Sequence, residues 1–157
     1  MAIDEFDLTL LSLLQENNQL TAHQLADRVN LSPGSCLRRI KRLRENGVIM
    51  RDVSILNPEL VGRKLTMIVL VTLEQERPDL TDEFKRSMIQ TPEVMQCHYV
   101  TGDIDFVLLV TSEDMASYER FTQQFFHDNR NVKRFSTMVV MNRVKFGTSL
   151  PLTSVPT

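Results

Sequence analysis

The sequence predicts an α+β protein, in which an N-terminal helix-turn-helix domain of winged-helix-like type is followed by a ferredoxin-like βαββαβ sandwich. Three observations support this fold class. Apolar residues recur at helical spacing through residue 50 and form strand-like runs after residue 64. Capping signals and a short turn separate two helical patterns within the first of these regions. In the second region, strand and helix patterns alternate as two strand-helix-strand units.

We divide the chain at the change of spacing. Residues 1–50 are the predicted helix-turn-helix domain, 51–64 a hinge, and 65–157 the ferredoxin-like domain. The hinge contains Pro58 and Gly62, which favour a strand and a turn rather than a free linker.

Composition indicates a soluble globular protein. The 157 residues are 42% hydrophobic and 24% charged, with a formal net charge of −2, which argues against a disordered chain. The apolar runs are far shorter than the ~20 residues of a membrane-spanning helix, and the N-terminus is acidic where a signal peptide would be basic. We therefore expect a cytoplasmic protein with no membrane partner. Cys36 and Cys97 lie far apart in the sequence, so free buried thiols are expected rather than a disulfide.

Three helices are predicted in the first domain, over about 4–17, 21–29 and 33–46. The first is rich in leucine and carries acidic residues at its positive N-terminal end. The second begins at Thr21, where the sequence TAHQ fits a capping box. Asn30 accepts the left-handed conformation that ends a helix, so a short turn follows. Two helices joined in this way and braced by a preceding helix form a helix-turn-helix.

The second domain combines apolar strands with helices that are apolar on one side only. One layer of helices therefore covers one face of the sheet. The strands are apolar on both faces, so the uncovered face must meet another protein surface, most simply the same face of a second copy. This pattern predicts a homodimer. The predicted strands cover 65–74, 94–101, 104–111 and 132–145, and the helices cover 79–90 and 113–127.

Positive charge is concentrated on the third helix. The segment from Ser35 to Arg44 carries five basic residues and no acid, although the chain is slightly acidic. At about 100° per residue, Cys36, Ile40 and Leu43 fall on one side of the helix and belong to the core. The opposite side is then free to enter the major groove of double-stranded DNA. The predicted DNA-binding residues are Ser32, Gly34, Ser35, Arg38, Arg39, Lys41 and Arg42.

These residues are predicted to have different roles. Small residues at the start of the helix let its N-terminus approach phosphate. Arg38 and Arg42 are candidates for bidentate reading of guanine, and Lys41 and Arg44 for phosphate contacts. Arg39 lies near the core edge and is assigned a positioning role. A solvated charged face without a ligand is the alternative for such a basic run, but the capping, the turn and the one-sided burial together favour DNA.

Four stretches carry a family resemblance: DEFDLTLLSLLQ at the start, LADRVNLSPGSCLRRIKRLRENGVI in the predicted DNA-binding region, and QCHYVTGDIDFVLLV and TMVVMNRVK in the second domain. Through them the chain resembles the Lrp/AsnC family of bacterial and archaeal regulators over roughly residues 3 to 147. The resemblance implies a sequence-specific DNA-binding transcriptional regulator. It also implies dimers formed through the second-domain sheets, octamers built as tetramers of dimers, and an amino-acid effector bound between dimers.

The sequence GDID, residues 102–105, marks a tight connection between two strands. From the residues alone, a plain hairpin with an unusual backbone angle at Gly102 is the simpler interpretation. The resemblance favours an effector site instead, with Asp105 binding the ammonium group and backbone amides at 102–104 binding the carboxylate. The effector-binding residues that the resemblance implies are Tyr99, Thr101, Gly102, Asp103, Ile104, Asp105, Met115, Ser136, Met138 and Val139.

The two methionines of this set, Met115 and Met138, offer a deformable apolar wall, which favours leucine, methionine or a similar aliphatic amino acid. Packing in the core is their alternative function. No metal and no other cofactor are expected, because no Cys/His cluster has ligand spacing.

Two other functions are possible for a chain of this kind. An enzyme is disfavoured because no Ser/His/Asp or Cys/His grouping converges in the sequence. An amino-acid-binding sensor or oligomerisation protein without DNA binding is disfavoured by the intact helix-turn-helix pattern.

Overall fold

The computed structural model describes residues 2–152, so Met1 and the end of the predicted second domain, 153–157, lie outside the described residues. The chain divides into two compact units. The first contains the chain through Ile55 together with the segment that begins at Lys145, and the second spans Leu56–Val144. The predicted division into domains and a hinge stays a prediction.

The C-terminal segment belongs to the first unit because a glutamine side chain holds its backbone. The Gln15 amide nitrogen Nε2 donates to the carbonyl of Leu150 at 3.1 Å, and the Leu150 N–H donates to Gln15 Oε1 at 2.6 Å. This pair of hydrogen bonds satisfies both backbone groups of one residue.

The first unit is built from three helices: α1, Glu5–Glu16; α2, Ala22–Val29; and α3, Pro33–Glu45. The predicted caps are confirmed. The Thr21 hydroxyl accepts from the Gln24 N–H while Gln24 reaches back to the Thr21 N–H, and Asn30 is left-handed at φ 56°. The buried residues that join the three helices are aliphatic or small: Leu10, Leu25, Ala26, Val29, Cys36 and Ile40.

The second unit is an antiparallel sheet with helices. Its elements are β1, Leu65–Leu73; α4, Pro78–Gln90; β2, Val94–Tyr99; β3, Phe106–Ser112; α5, Met115–Thr122, continued by a π-helix Gln123–His127; and β4, Val132–Val139. The strand order is β2-β3-β1-β4, and each neighbouring pair is antiparallel. This order and the two strand-helix-strand units confirm the predicted ferredoxin-like sandwich.

The two faces of the sheet differ in burial, as the sequence predicts. On β1, Met67, Val69 and Val71 are fully buried in the core. Ile68 and Leu70 point to the other face and are only half-buried. Their cross-strand neighbours on that face are also largely apolar, and they include Leu109, Val107 and Met138. We call this surface the open sheet face.

Two predicted strands differ from the structure: one is shorter than predicted, and the other is absent. The predicted strand over 132–145 ends at Val139, because the last ladder bond joins the Val140 N–H to the Thr66 carbonyl and β1 begins at Leu65. The strand predicted within 51–64 is absent from the structure, which shows turns at 58–62. No strand of the described chain pairs with this segment.

Candidate nucleic-acid and effector interfaces

The outer face of α3 presents its N-terminal half to solvent. Ser32 caps the helix, since its hydroxyl accepts from the Ser35 N–H at 3.2 Å. Arg38 is exposed, and its Nη2 donates to the Ser35 hydroxyl at 3.0 Å. Gly34 is exposed too, and a Cβ at this position would meet no heavy atom within 4 Å. The helix start therefore combines open space, free positive charge and the positive end of a helix dipole, which together suit a phosphate backbone.

The opposite flank of α3 faces α1 and carries ion pairs. Arg42 Nη2 lies 2.6 Å from Asp7 Oδ2, and Arg39 Nη1 lies 2.9 Å from Asp7 Oδ1 and 2.7 Å from Asp4 Oδ2. The Asp7 side chain is 0% exposed. We call these four residues the acid–arginine cluster. The Arg42 guanidinium is engaged on the α1 side of the helix, and its base-reading role stays a prediction. The cluster agrees with the predicted place of Arg39 at the core edge.

The two acids of the cluster also cap α1. Asp4 is the N-cap residue and accepts from the Asp7 N–H, while Asp7 accepts from the Asp4 N–H. The hydrogen bond from the Asp7 backbone, followed by that from Arg39, lowers the pKa of Asp4. The same contacts to Asp4 and Asp7 raise the pKa of the Arg39 guanidinium.

Sequence reasoning missed this cluster, since it assigned the acids only to the helix dipole. A signal was present in the sequence: the acids and the arginines are each three residues apart, as one helix turn requires.

The remaining cations of α3 are exposed. Lys41 Nζ lies 3.7 Å from Glu45 Oε1, and both side chains are more than half exposed. Arg44 Nη2 lies 3.0 Å from Asp52 Oδ2, with both side chains nearly half exposed. Exposed pairs of this kind contribute about 0–1 kcal/mol, so phosphate can replace the acids.

The turn before β3 leaves backbone donors unused. Gly102 has φ 120°, a conformation that glycine adopts readily. Within the described chain, no group accepts a hydrogen bond from the N–H of Gly102, Asp103 or Ile104. Asp105, predicted to bind an ammonium group, is only 8% exposed, and its Oδ2 accepts from the Leu73 N–H at 2.7 Å. One carboxylate oxygen is thus already engaged, and the ammonium role stays a prediction.

A single chain does not gather all the predicted effector residues. Tyr99 and residues 101–105 lie at the end of the sheet where β3 begins, whereas Met115 follows its other end. Six residue steps separate the two ends of β3, which is roughly 20 Å. Residues 136–139 pair with the middle and first part of β1. All ten residues are exposed except Ile104, which is half-buried, and Asp105.

The part of the chain that the structure describes contains no group of three or more His, Cys, Asp or Glu residues placed to hold a metal ion. It also contains no helix with the length and hydropathy needed to cross a membrane. Both cysteines are free thiols: Cys36 is buried, and partial burial raises the pKa of Cys97.

Comparison with known proteins identifies both units. Residues 66–150 match the Lrp/AsnC ligand binding domain, and residues 3–50 match a winged helix-turn-helix DNA-binding domain. An HTH-type transcriptional regulator of Sinorhizobium fredii is 55% identical over 152 residues, which cover 97% of this chain and 90% of that protein. The chain belongs to the Lrp/AsnC family. It is a helix-turn-helix transcriptional regulator with a ligand-binding domain, and this family is not enzymatic.

Other Lrp/AsnC proteins are similar over nearly their whole length. The leucine-responsive regulatory protein of Haemophilus influenzae is 38% identical, with 92% of this chain and 87% of that protein covered. The crystal structure of a Neisseria meningitidis transcriptional regulator in complex with L-Met gives a TM-score of 0.89 at 34% identity, covering 95% of this chain and 96% of that one. An AsnC family regulator from Agrobacterium tumefaciens gives a TM-score of 0.89 at 32% identity, covering 95% and 97%.

Proposed function

We propose that this Lrp/AsnC regulator binds double-stranded DNA sequence-specifically through the outer face of α3 and that a small amino acid regulates the binding. The observation that carries the proposal is the outer face of α3, where Gly34, Arg38 and Lys41 are exposed on a helix whose other side is buried. The exposed N-cap Ser32 and the half-buried Ser35 lie at the start of this face. A recognition helix needs this division between a core side and a free side. The proposed compartment is the cytoplasm.

The proposed effector is leucine, methionine or a similar aliphatic amino acid. The unused N–H groups at 102–104 suit the carboxylate of such a ligand, because backbone donors in a turn form an anion-binding concavity. Asp105 is the proposed partner of the ammonium group. The L-Met complex of the similar Neisseria regulator supports an amino-acid ligand, and the exposed Met115 and Met138 offer an apolar wall. No metal or further cofactor is part of the proposal.

The proposed assembly is a homodimer through the open sheet face and an octamer as a tetramer of dimers. The open sheet face supports the dimer, since half-buried apolar residues on β1 and β3 continue onto Met138 of β4. The spread of the effector residues over both ends of the sheet supports a site that more than one protomer completes. A dimer also supplies two recognition helices, which doubles the contacts available for a specific site.

The DNA part of the proposal is tested by selecting fragments of a random duplex library with the full chain, with and without each of the twenty amino acids. We expect an enriched motif whose recovery changes with an aliphatic amino acid. Binding without any enriched motif would contradict sequence specificity. Amino-acid binding with no salt-dependent DNA binding would instead identify a sensor that does not bind DNA.

The effector part is tested by thermal shift and light scattering on Asp105→Asn, with Asp103→Asn as the matched control. Asparagine keeps an oxygen that accepts from the Leu73 N–H, so the substitution removes charge with little change in the fold. We expect the stabilisation by leucine or methionine to disappear in Asp105→Asn. It should persist in Asp103→Asn, because the proposed site uses Asp103 through its backbone N–H, which the substitution keeps. An unchanged shift in Asp105→Asn would leave this residue with a structural role only.

A further inference from the structure

The acid–arginine cluster uses two of the five basic residues between Ser35 and Arg44. Asp7 lies at its centre, is completely buried, and accepts hydrogen bonds from both guanidinium groups. A buried carboxylate requires a countercharge, because an unpaired charge removed from water is strongly unfavourable. Arg39 and Arg42 supply this countercharge in the free protein.

The other three basic residues of the segment are held differently. Lys41 and Arg44 form ion pairs of 3.7 and 3.0 Å with acids that are themselves exposed, and Arg38 donates to the hydroxyl of Ser35. These partners are readily exchanged for phosphate, because exposed ion pairs are weak and screened by salt. We call Arg38, Lys41 and Arg44 the outer cations.

The Arg42 side chain is oriented towards α1, where it contacts Asp7. Its Nε is buried and has no hydrogen-bond partner among the described residues, although its Nη2 reaches Asp7. A buried donor without a partner is unfavourable, so the contact with Asp7 outweighs a conformation in which this nitrogen is hydrated. The Arg42 side chain is nevertheless 43% exposed, and that of Arg39 is 25% exposed. Both side chains therefore have a path to solvent once Asp7 no longer holds them.

We propose that Asp7 is a positioning residue for DNA recognition. By binding Arg39 and Arg42 it fixes α3 on α1 and keeps these two cations away from the DNA backbone, so that the outer cations make the phosphate and base contacts. The inference rests on the proposed function, because it requires the outer face of α3 to meet a duplex. It assigns a role to a residue that lies on a different helix from the DNA contacts.

The test is the salt dependence of the affinity of the full chain for a short labelled duplex of mixed sequence. Removal of one phosphate-binding cation per chain reduces the slope of log affinity against log salt by about 1. We expect this reduction for Lys41→Gln and no change of slope for Arg39→Gln or Arg42→Gln. For Asp7→Asn we expect a slope steeper by up to about 2 per chain, because both released arginines can reach phosphates. A purely structural role of Asp7 would not steepen the slope.

The triple variant Asp7→Asn/Arg39→Gln/Arg42→Gln is the matched control, and its slope should return to that of the wild type. A flatter slope for Arg39→Gln and Arg42→Gln, equal to that for Lys41→Gln, would make them DNA contacts and overturn the inference. An unchanged slope for folded Asp7→Asn would overturn it as well. If circular dichroism shows that Asp7→Asn does not fold, the salt slopes of Arg39→Gln and Arg42→Gln decide whether these arginines contact DNA. Absence of salt-dependent binding by the wild type would contradict the proposed function itself, which is a different outcome from these.

Discussion

The two compact units of this regulator differ in the interactions that stabilise each of them internally. The DNA-binding unit has an aliphatic core and a fully buried carboxylate, Asp7, between two arginines. The ligand-binding unit has a core rich in aromatic rings. The ring centroids of Phe106 and Phe84 are 4.7 Å apart, and those of Phe126 and Phe121 are 5.3 Å apart. Ion pairs fix direction, whereas ring packing fixes shape and volume. The placement of the recognition helix thus depends on a few polar atoms in addition to its aliphatic contacts, whereas the sheet depends on distributed packing.

The largest expected effect follows from the ring core. Phe106→Ala removes a fully buried ring that contacts Phe84 and Tyr99, and we expect it to lower the free energy of unfolding by about 3–5 kcal/mol. Urea denaturation measures the decrease, and hydrogen exchange should locate it in the sheet. The control is Phe6→Ala in the other unit. Phe6 is 43% exposed and lies under Arg39, so its removal should cost about 1 kcal/mol or less. Equal decreases in the free energy of unfolding for Phe106→Ala and Phe6→Ala would show that the two units do not differ in their dependence on aromatic packing.

The next effect tests the polar interactions of the DNA-binding unit. Asp7→Ala leaves two arginines without their buried partner, and we expect a destabilisation of about 3 kcal/mol, the low end for a broken buried pair, because both arginines keep some access to water. Glu5→Ala is the control, since Glu5 is an exposed acid of the same helix turn. Hydrogen exchange of α1 and α3 locates the change. A destabilisation by Asp7→Ala no larger than by Glu5→Ala would show that the ion pairs contribute little.

A smaller effect is expected at the cap of α2. Thr21→Ala removes the hydroxyl that accepts from the Gln24 N–H, and we expect a destabilisation of about 1 kcal/mol in the DNA-binding unit. Thr9→Ala is the matched control: the Thr9 hydroxyl bonds the Glu5 carbonyl within α1, and alanine favours the helix at such a position. Thermal unfolding of both variants measures the difference. Destabilisation by Thr9→Ala equal to that by Thr21→Ala would contradict the capping interpretation.

A substitution at the start of α3 separates stability from DNA binding. Gly34→Ala places a methyl group in open space within a helix, so we expect stability to rise by about 0.5–1 kcal/mol. Affinity for a selected duplex should fall nonetheless, because the methyl group would occupy the space that a phosphate approaches. Denaturation and fluorescence anisotropy measure the two effects. Unchanged affinity would show that DNA does not come close to this position.

The smallest effect is a dependence on pH. Because the pKa of Asp4 is lowered in the folded state, its stabilising contribution is complete above the usual carboxyl pKa near 3.8. The contribution disappears as pH falls through the lowered value. Asp4→Asn keeps a capping oxygen but does not titrate. The free energy of unfolding of the wild type should therefore exceed that of the variant at pH 6, and this advantage should shrink below about pH 4, the pKa of an Asp in the unfolded chain. Urea midpoints measured across this range check the sign. An advantage that grows in acid would be the opposite of this prediction.

Local features of the fold were predictable because their partners lie close in the sequence. The cap of α2 and the left-handed Asn30 depend on residues within about one helix turn of each other. The two-sided apolar pattern of β1 likewise predicts an uncovered sheet face, since alternate residues of a strand point to opposite sides. The end of β4 was not predictable in this way, because it depends on where β1 begins.

The sequence by itself determined the order of helices and strands before residue 51 and after residue 64, the helix caps and the concentration of positive charge on one helix. All of these follow from spacing along the chain. Only the tertiary structure decided which of those charges is free. Asp7 and Arg42 are 35 residues apart, and Asp105 and Leu73 are 32 residues apart. Interactions over such separations depend on how helices and strands pack, because packing selects which side of an element meets its neighbour.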